Sequence, residues 1–284
     1  MINNIEIAAI IVTHNRLNLL KQCIDNVKNQ TYKLDEIIVV NNSSNDGTRE
    51  WLDNQSDLTV INQENLGSAG GYHTGIKYAY EKGYDWFWLL DDDVIPFNDA
   101  LEKELKYANI SGCINVAKMD KNGKRIPWEG YFDEASGFLF QYDEDEFYKE
   151  KDWREVNFGC FEGMLISREV IYKIGLPDKE FFIIGDDTFY GYKASKVTNV
   201  IYIKDICLRK EILNNQFTDY KIFLYFRNLV GFTYRKISRK KHIYFLRMIF
   251  HYLNHFFKLI LEFRIRGIYF MNKGLLCGLL EKFD

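Results

Sequence analysis

The stretch Ile5–Thr13 is a near-continuous apolar run rich in β-branched residues, and it ends on the polar tetrapeptide THNR. A strand that apolar has to be covered on both faces, which confines it to the interior of a mostly parallel sheet between helical layers. The next ninety or so residues repeat the pattern. Leu17, Leu20, Ile24 and Val27 recur at helical spacing, and Glu36–Asn41 predicts a second strand. A short helix is expected near Trp51, capped by Asp46 or Thr48 from the turn-rich NNSSNDGT. Leu58–Asn62 predicts a third strand, Gly71–Glu81 a helix and Trp86–Leu90 a fourth strand. Strands alternating with helices in this way make βαβ units.

Ligands of open α/β sheets bind beyond the carboxyl ends of the strands. Here those ends carry Thr13-His14-Asn15-Arg16, then Asn41-Asn42-Ser43, then Asp91-Asp92-Asp93. Any one alone is a solvated loop or a helix cap; three in succession outline one polar rim. The last is the sharpest, because three carboxylates follow the apolar WFWLL directly. Asp91 and Asp93 can face one side and share a hard cation such as Mg²⁺ or Mn²⁺, with Asp92 pointing elsewhere. The competing reading is an acidic turn before a helix cap. In NLGSAGGYHTG, glycines stand where a loop becomes a helix, so backbone can approach a ligand and helix N-terminal amides can face an anion. The motif is not G-x-G-x-x-G and follows the third strand, which disfavours a dinucleotide site.

Beyond the triple Asp the pattern loosens. Strands are expected at Ser111–Lys118, Val156–Ser167 and Asn199–Lys204, with a short helix at Asp187–Ser195. Asp120–Glu155 is acidic and aromatic, and predicts an exposed excursion. Asp186 and Asp187 fit two roles: a helix N-cap with a first-turn carboxylate, or a functional acid pair. Trp128, Trp153, Phe158 and Phe161 fit either a surface that stacks on a ligand or core. His251 and His255, at i and i+4, fit a metal pair less well than an amphipathic interface helix.

Four motifs in order, IIVTHNR, VVNNSSNDGT, NLGSAGG and WLLDDDV, resemble the family 2 inverting glycosyltransferases of GT-A fold. The likeness spans roughly residues 5–215, and the NxGxxGG loop, GDDTFYGYKA and YFRN are most similar to its galactofuranosyltransferase and rhamnosyltransferase branch. The resemblance implies an α/β GT-A domain over residues 1–214, with a mixed, mostly parallel sheet flanked by helices, followed by a helical region over 215–284. It implies that Thr13, Asn15 and Arg16 line the nucleotide pocket, with Arg16 near base or diphosphate. Asn41, where many relatives place Asp, would contact the uridine or thymidine, and Asp46 belongs to the same loop. Asn65, Gly67, Gly70 and Gly71 would shape the donor side. Asp91 and Asp93 look like the metal-binding D-x-D, for Mn²⁺ or Mg²⁺, with Asp92 nearer the sugar, and Asp187 or its neighbour Asp186 sits where the family keeps its catalytic base. One departure stands out: relatives often supply a metal-ligand His downstream, whereas this region reads ICLRKE, with no His between His73 and His242. Either the two aspartates hold the metal with water and diphosphate, or Arg209 or Lys210 substitutes as a fixed cation. The implied reaction moves a sugar from a nucleotide-diphosphate donor, UDP-galactofuranose first and dTDP-rhamnose second, to a lipid-linked surface glycan. A non-catalytic nucleotide-sugar-binding or scaffold role is the alternative, supported by the absent His alone.

Charge separates the two regions. From Arg235 onward there are 11 Lys/Arg and 3 Asp/Glu, against 26 and 37 in the remainder. Basic residues beside dense aromatic and aliphatic ones fit a helix lying on a membrane surface. A homo-oligomer contact is second, and nucleic acid is disfavoured because the apolar residues are too dense for a phosphate-reading face. Five scattered cysteines without CxxC spacing, no signal-peptide pattern and no apolar span of about 18 residues place the expected location in the cytoplasm, peripheral to the inner face of the plasma membrane.

Overall fold

Strand β1 (Ile7–Thr13) is buried along its whole length, and its side chains divide by parity. Ala8, Ile10 and Val12 enter one core, while Ile7, Ala9 and Ile11 enter the core on the opposite face. The computed structural model describes residues 5–135, 137–141, 151–213 and 217–282. In it, β1 lies between the parallel strands β2 (Glu36–Asn42) and β4 (Trp86–Asp91), with β3 (Thr59–Gln63) outside β2. The register pairs Thr13 with Asn41, Asn41 with Asn62 and Val12 with Asp91. The polar strand ends therefore reach one rim together.

Beyond β4 the sheet continues through β11 (Met164–Ser167), β6 (Cys113–Met119), β12 (Val200–Lys210) and β10 (Trp153–Val156). Strand β11 runs antiparallel to both neighbours, and β10 is an antiparallel edge. Strands β5 (Val94–Pro96) and β7 (Arg125–Ile126) add short antiparallel pairs to β12 and β6, and β8 (Gly130–Asp133) with β9 (Phe138–Gln141) forms a separate hairpin. On one face lie α1 (Leu17–Lys28), α2 (Thr48–Leu52) and α4 (Ala100–Leu105). On the other lie α3 (Gly67–Lys82), α5 (Arg168–Ile174) and α6 (Asp186–Ala194). The C-terminal region comprises α7 (Asp219–Asn228), a π-helical turn over Leu229–Ile237, α8 (Lys241–Leu261) and α9 (Ile265–Leu279). The expected mixed, mostly parallel sheet between helices is the one observed.

Four expectations need correction. The helix expected from Gly71 starts at Gly67, and the run of glycines serves close packing: a Cβ on Gly71 would lie 2.4 Å from Val12 Cγ1. The strand expected over Val156–Ser167 is broken, because Asn157–Gly163 leaves the edge strand β10 before the chain re-enters the sheet as β11. The last strand runs past Lys204 to Lys210, since register irregularities between Ile203 and Leu208 keep it paired to β6 while its end pairs with β5. Arg209 and Lys210 therefore sit on a strand beside the rim. The segment Asp120–Glu155 is also more than an excursion, for it supplies β7 to β10 and buries Glu129 and Phe132. Its acidic tract 142–150 lies outside the described residues, as do 214–216 at the expected start of the helical region.

Candidate active site

Of the three aspartates after WFWLL, Asp92 and Asp93 share Arg16, while Asp91 and Asp93 meet at Lys210. Asp92 turns inward, where its Oδ2 accepts from Thr13 Oγ1 at 2.8 Å and its Oδ1 from Arg16 Nη1 at 2.9 Å. Asp93 is equally buried, with Oδ2 accepting from the same Arg16 nitrogen at 2.9 Å and Oδ1 from Lys210 Nζ at 2.5 Å. Asp91 is partly open. Its Oδ1 accepts from Tyr72 Oη at 2.7 Å, and its Oδ2 lies 3.6 Å from Lys210 Nζ.

A fourth carboxylate joins them. Glu162, in the break before β11, accepts from Lys210 Nζ at 2.6 Å, and its second oxygen lies 3.5 Å from Lys118 Nζ. Asp91, Asp93 and Glu162 each offer one oxygen, all within 4.8 Å of one another. Three oxygen donors with no nitrogen or sulfur suit a hard divalent cation, so this D-x-D-like cluster suggests one. Lys210 places its ammonium among the same three groups. The electrostatics follow from burial and neighbours. Burial first, then Glu162 and Asp93, pushes Asp91 up to about 6 against the pull of Lys210. Glu162 is held below its ordinary value despite its burial, because Lys118 and Lys210 flank it. Lys210 is raised although burial opposes it, with Glu162, Asp91 and Asp93 as the causes.

The second acid pair opens α6. Burial, then the charge of Asp187, raises Asp186 to about 8, and its buried Oδ2 has no hydrogen-bond partner. Burial raises Asp187 to about 6, with Glu162 and Asp91 contributing and Lys118 opposing. Gly185, not an aspartate, is the N-cap of α6 and no side chain caps it; Asp186 and Asp187 are first-turn carboxylates, and Asp187 Oδ1 accepts from Thr188 N at 2.6 Å. Asp91 and Glu162 both disfavour the charged form of Asp187, so the acid pair lies within electrostatic reach of the cluster.

The remaining expected residues divide. Asn41 is buried; its Nδ2 donates to Asn62 Oδ1 at 2.8 Å and its Oδ1 accepts from Ser44 N at 3.1 Å. Asn15, in the left-handed region at φ 54°, accepts from Asn45 N at 2.7 Å. Asp46 ties two loops, accepting from Leu17 N at 3.0 Å and Thr48 Oγ1 at 2.6 Å. Asn65 Oδ1 accepts from Gly67 N at 3.0 Å, while its Nδ2 lies 3.4 Å from His14 Nε2. The amides expected to be free for an anion are partly used, since Ala69 N donates to Phe182 O at 3.1 Å. Gly70 packs on Leu66 and Gly71 on Val12. Phe158 and Phe161 are core; Trp128 is exposed and Trp153 partly so. His255 Nδ1 lies 2.9 Å from His251 O and the ring stacks on Tyr225, in keeping with an interface helix.

Sequence reading missed Tyr72, Lys118 and Glu162. Glu162 alone carried a signal, a lone acid between Phe161 and Gly163 at the end of an apolar run. Lys118 sits near a strand end, fully buried beside Glu129 and Cys160, and its sequence neighbours give no sign of that burial.

A mixed, mostly parallel sheet between helical layers, with carboxylates gathered at the rim beyond its central strands, is a GT-A fold. The comparisons agree: the family described as glycosyl transferase family 2 matches residues 8–175, and the chain belongs to it. It is 29% identical over 189 residues to galactofuranosyltransferase GlfT1 of Mycolicibacterium smegmatis, covering 64% of this chain and 62% of that one. It is 30% identical over 193 residues to GlfT1 of Mycobacterium tuberculosis strain H37Rv, covering 63% and 61%. The chain thus spans about three fifths of the length of these relatives. Among solved structures it resembles Staphylococcus aureus TarS in complex with UDP, with TM-score 0.58, 13% identity and coverage of 84% of this chain and 68% of that one. It also resembles GalNAc-T7 with UDP, GalNAc and Mn²⁺, with TM-score 0.60, 16% identity and coverage of 84% and 49%. At such identities the likeness shows the fold.

Proposed function

We propose that the protein transfers a sugar, with inversion, from a nucleotide-diphosphate donor to a hydroxyl of a lipid-linked cell-surface glycan. One feature supports this reading: Asp187, in the first turn of α6, lies within electrostatic reach of Asp91 and Glu162, whose oxygens gather with that of Asp93 within 4.8 Å of one another. Inverting transfer needs one group that bears the leaving diphosphate and a separate carboxylate for the acceptor proton. The acceptor oxygen bonds to the anomeric carbon as the bond to the diphosphate breaks. The acceptor proton passes to Asp187, and the nucleoside diphosphate leaves with the bonding pair.

Asp91, Asp93 and Glu162 would hold a Mn²⁺ or Mg²⁺ ion, which when bound supplies Lewis-acid stabilisation to the diphosphate. Lys210 competes for that place and supplies its positive charge when no ion is bound. Arg16, fixed by Asp92 and Asp93 and partly exposed, faces the diphosphate or base. Thr13, Asn15, Asn41 and Asp46 act mainly by shaping the nucleotide pocket, since their polar atoms already tie its loops together. Asn65, Gly67, Gly70 and Gly71 set the donor-side wall, and Asp92 orders the β1–α1 loop beside the sugar.

UDP-galactofuranose is the first donor, because the relatives at 29–30% identity are named galactofuranosyltransferases; dTDP-rhamnose is second. The protein acts at the inner face of a membrane. Among the described residues no helix is long and apolar enough to cross one, but α8 bears an apolar stripe turned outward. Leu246, Ile249, Phe250, Leu253, Phe257 and Leu261 recur at helical spacing, with Phe250 63% and Leu261 79% exposed. Basic residues on and around α8 suit a surface-lying helix on anionic lipid. The test is incubation with each donor, Mn²⁺ and a lipid-linked acceptor, following nucleoside diphosphate release. Release above background with UDP-galactofuranose supports the reading, and none with any sugar donor removes it.

A further inference from the structure

The segment that delivers Asp186 and Asp187 is strained. Phe182 has φ 62°, Ile184 φ 76° and Gly185 φ 84°. Glycine adopts such angles freely, but a β-branched isoleucine there is an outlier that persists only where its surroundings over-determine it. The surroundings are visible on both sides. On one, Phe182 O accepts from Ala69 N at 3.1 Å and is seated so close to α3 that a Cβ on Gly67 would lie 2.0 Å from it. On the other stands the end of α7. Arg227 Nη2 donates to Glu180 O at 2.6 Å and Phe181 O at 2.8 Å. Asn228 Nδ2 lies 3.1, 3.0 and 2.8 Å from the carbonyl oxygens of Phe181, Ile183 and Ile184. Arg227 Nε donates to Asn228 Oδ1 at 3.0 Å, which turns the amide nitrogen toward those carbonyls.

We propose that Arg227 and Asn228 are positioning residues for transfer: together they clamp Glu180–Ile184 in its strained path and so aim the Asp186–Asp187 pair at the acidic cluster. Both side chains are buried, and both lie outside the stretch matched by the family. The clamp ties the C-terminal region to the chemistry. Helix α9 braces α7 from behind through Gly274 and Gly278, where added Cβ atoms would lie 2.3 Å from Phe223 O and 2.6 Å from Arg227 O. At these two positions α9 presents no side chain, so its backbone lies directly against the end of α7 that carries Arg227 and Asn228. Positioning of this kind acts on turnover far more than on donor affinity, because misplacing a reacting group by about 1 Å costs on the order of a hundredfold.

This inference rests on the transferase reading, and its test separates the two. The full chain and its Asn228→Ala variant are compared for UDP binding by calorimetry, for UDP release from UDP-galactofuranose with Mn²⁺ and acceptor, and for amide exchange over 181–188. The expected result is UDP affinity within about threefold of the parent, turnover down by about a hundredfold, and faster exchange confined to the strained segment and the start of α6. Arg227→Lys should fall between the two. Should Asn228→Ala fail to fold, Asn228→Asp, which keeps the shape but offers no N–H to the carbonyls, is read the same way. Turnover within threefold of the parent, or a fall explained wholly by lost UDP affinity, overturns the clamp. If the parent itself releases no UDP, the transferase reading fails, and unchanged exchange over 181–188 in the variant then removes the clamp as well.

Discussion

Lys210 Nζ lies 2.5 Å from Asp93 Oδ1, although 117 residues separate them in sequence. The same ammonium is 2.6 Å from Glu162 Oε1 and 3.6 Å from Asp91 Oδ2, so it stands among the carboxylates that suit a divalent cation. Two cations cannot share that space without strong repulsion, about 4 kcal/mol per unit charge pair at 4 Å even with an effective dielectric of 20.

Lys210→Met should therefore bind Mn²⁺ at least tenfold more tightly than the parent, as measured by calorimetry or by loss of the free-ion paramagnetic signal. Without metal the variant should melt lower, because three carboxylates lose their partner, and Mn²⁺ should restore it by binding the folded state alone. Equal Mn²⁺ affinity in both proteins would show that Lys210 does not compete.

Asp187→Asn should reduce turnover by 10² to 10⁴-fold, the usual contribution of a positioned base, and leave UDP binding within a few-fold. Asp186→Asn should cost less if Asp187 takes the proton. Since a base acts ionised and burial raises Asp187 to about 6, parent turnover should climb as pH rises through about 6. A rate unaffected by Asp187→Asn moves the base elsewhere.

In the core beneath the rim, Glu104 is fully buried on α4; its Oε1 accepts from Trp88 Nε1 at 2.8 Å and its Oε2 has no hydrogen-bond partner. Burial raises it well above the ordinary carboxylate range, so the folded state holds a proton that the unfolded state releases near pH 4.3. Its stabilising contribution is complete below that pH and is lost as pH rises toward the folded value, by up to about 1.4 kcal/mol per pH unit. Glu104→Gln should flatten the fall in stability, measured as denaturation midpoint from pH 4.5 to 8. Parallel curves for the two proteins would refute this.

For the outer stripe of α8, the double variant Phe250→Ser, Leu261→Ser should weaken co-sedimentation with anionic phosphatidylglycerol vesicles by about tenfold or more, given roughly 1.5–3 kcal/mol for each large apolar side chain buried. Far-UV circular dichroism should be unchanged, because both residues face away from the packing side that carries Tyr252, Phe256 and Leu259. Parent protein that stays in the supernatant would point to another occupant of that face.

Much of the architecture was legible in sequence because its causes are local. Residues Ile7–Val12 bury both parities, and Trp86–Leu90 do the same, so each strand had to be interior. Polar residues that end such strands reach the rim by register alone, which is why Thr13, Asn41 and Asp91 could be grouped in advance. The chain alone also separated the acidic body from the basic C-terminal region. What it left open were contacts across long loops. Glu162, Lys118 and Tyr72 are a single carboxylate, a strand-end lysine and a helical tyrosine until the sheet brings them to Asp91, and the length of β12, set by its pairing with β5, puts Lys210 there too. The strained path before Asp186 and the reach of Asn228 to it were likewise decided by tertiary packing. Periodicity reports which face of an element is apolar; which charges meet, and so which are shifted, depends on partners distant in the chain.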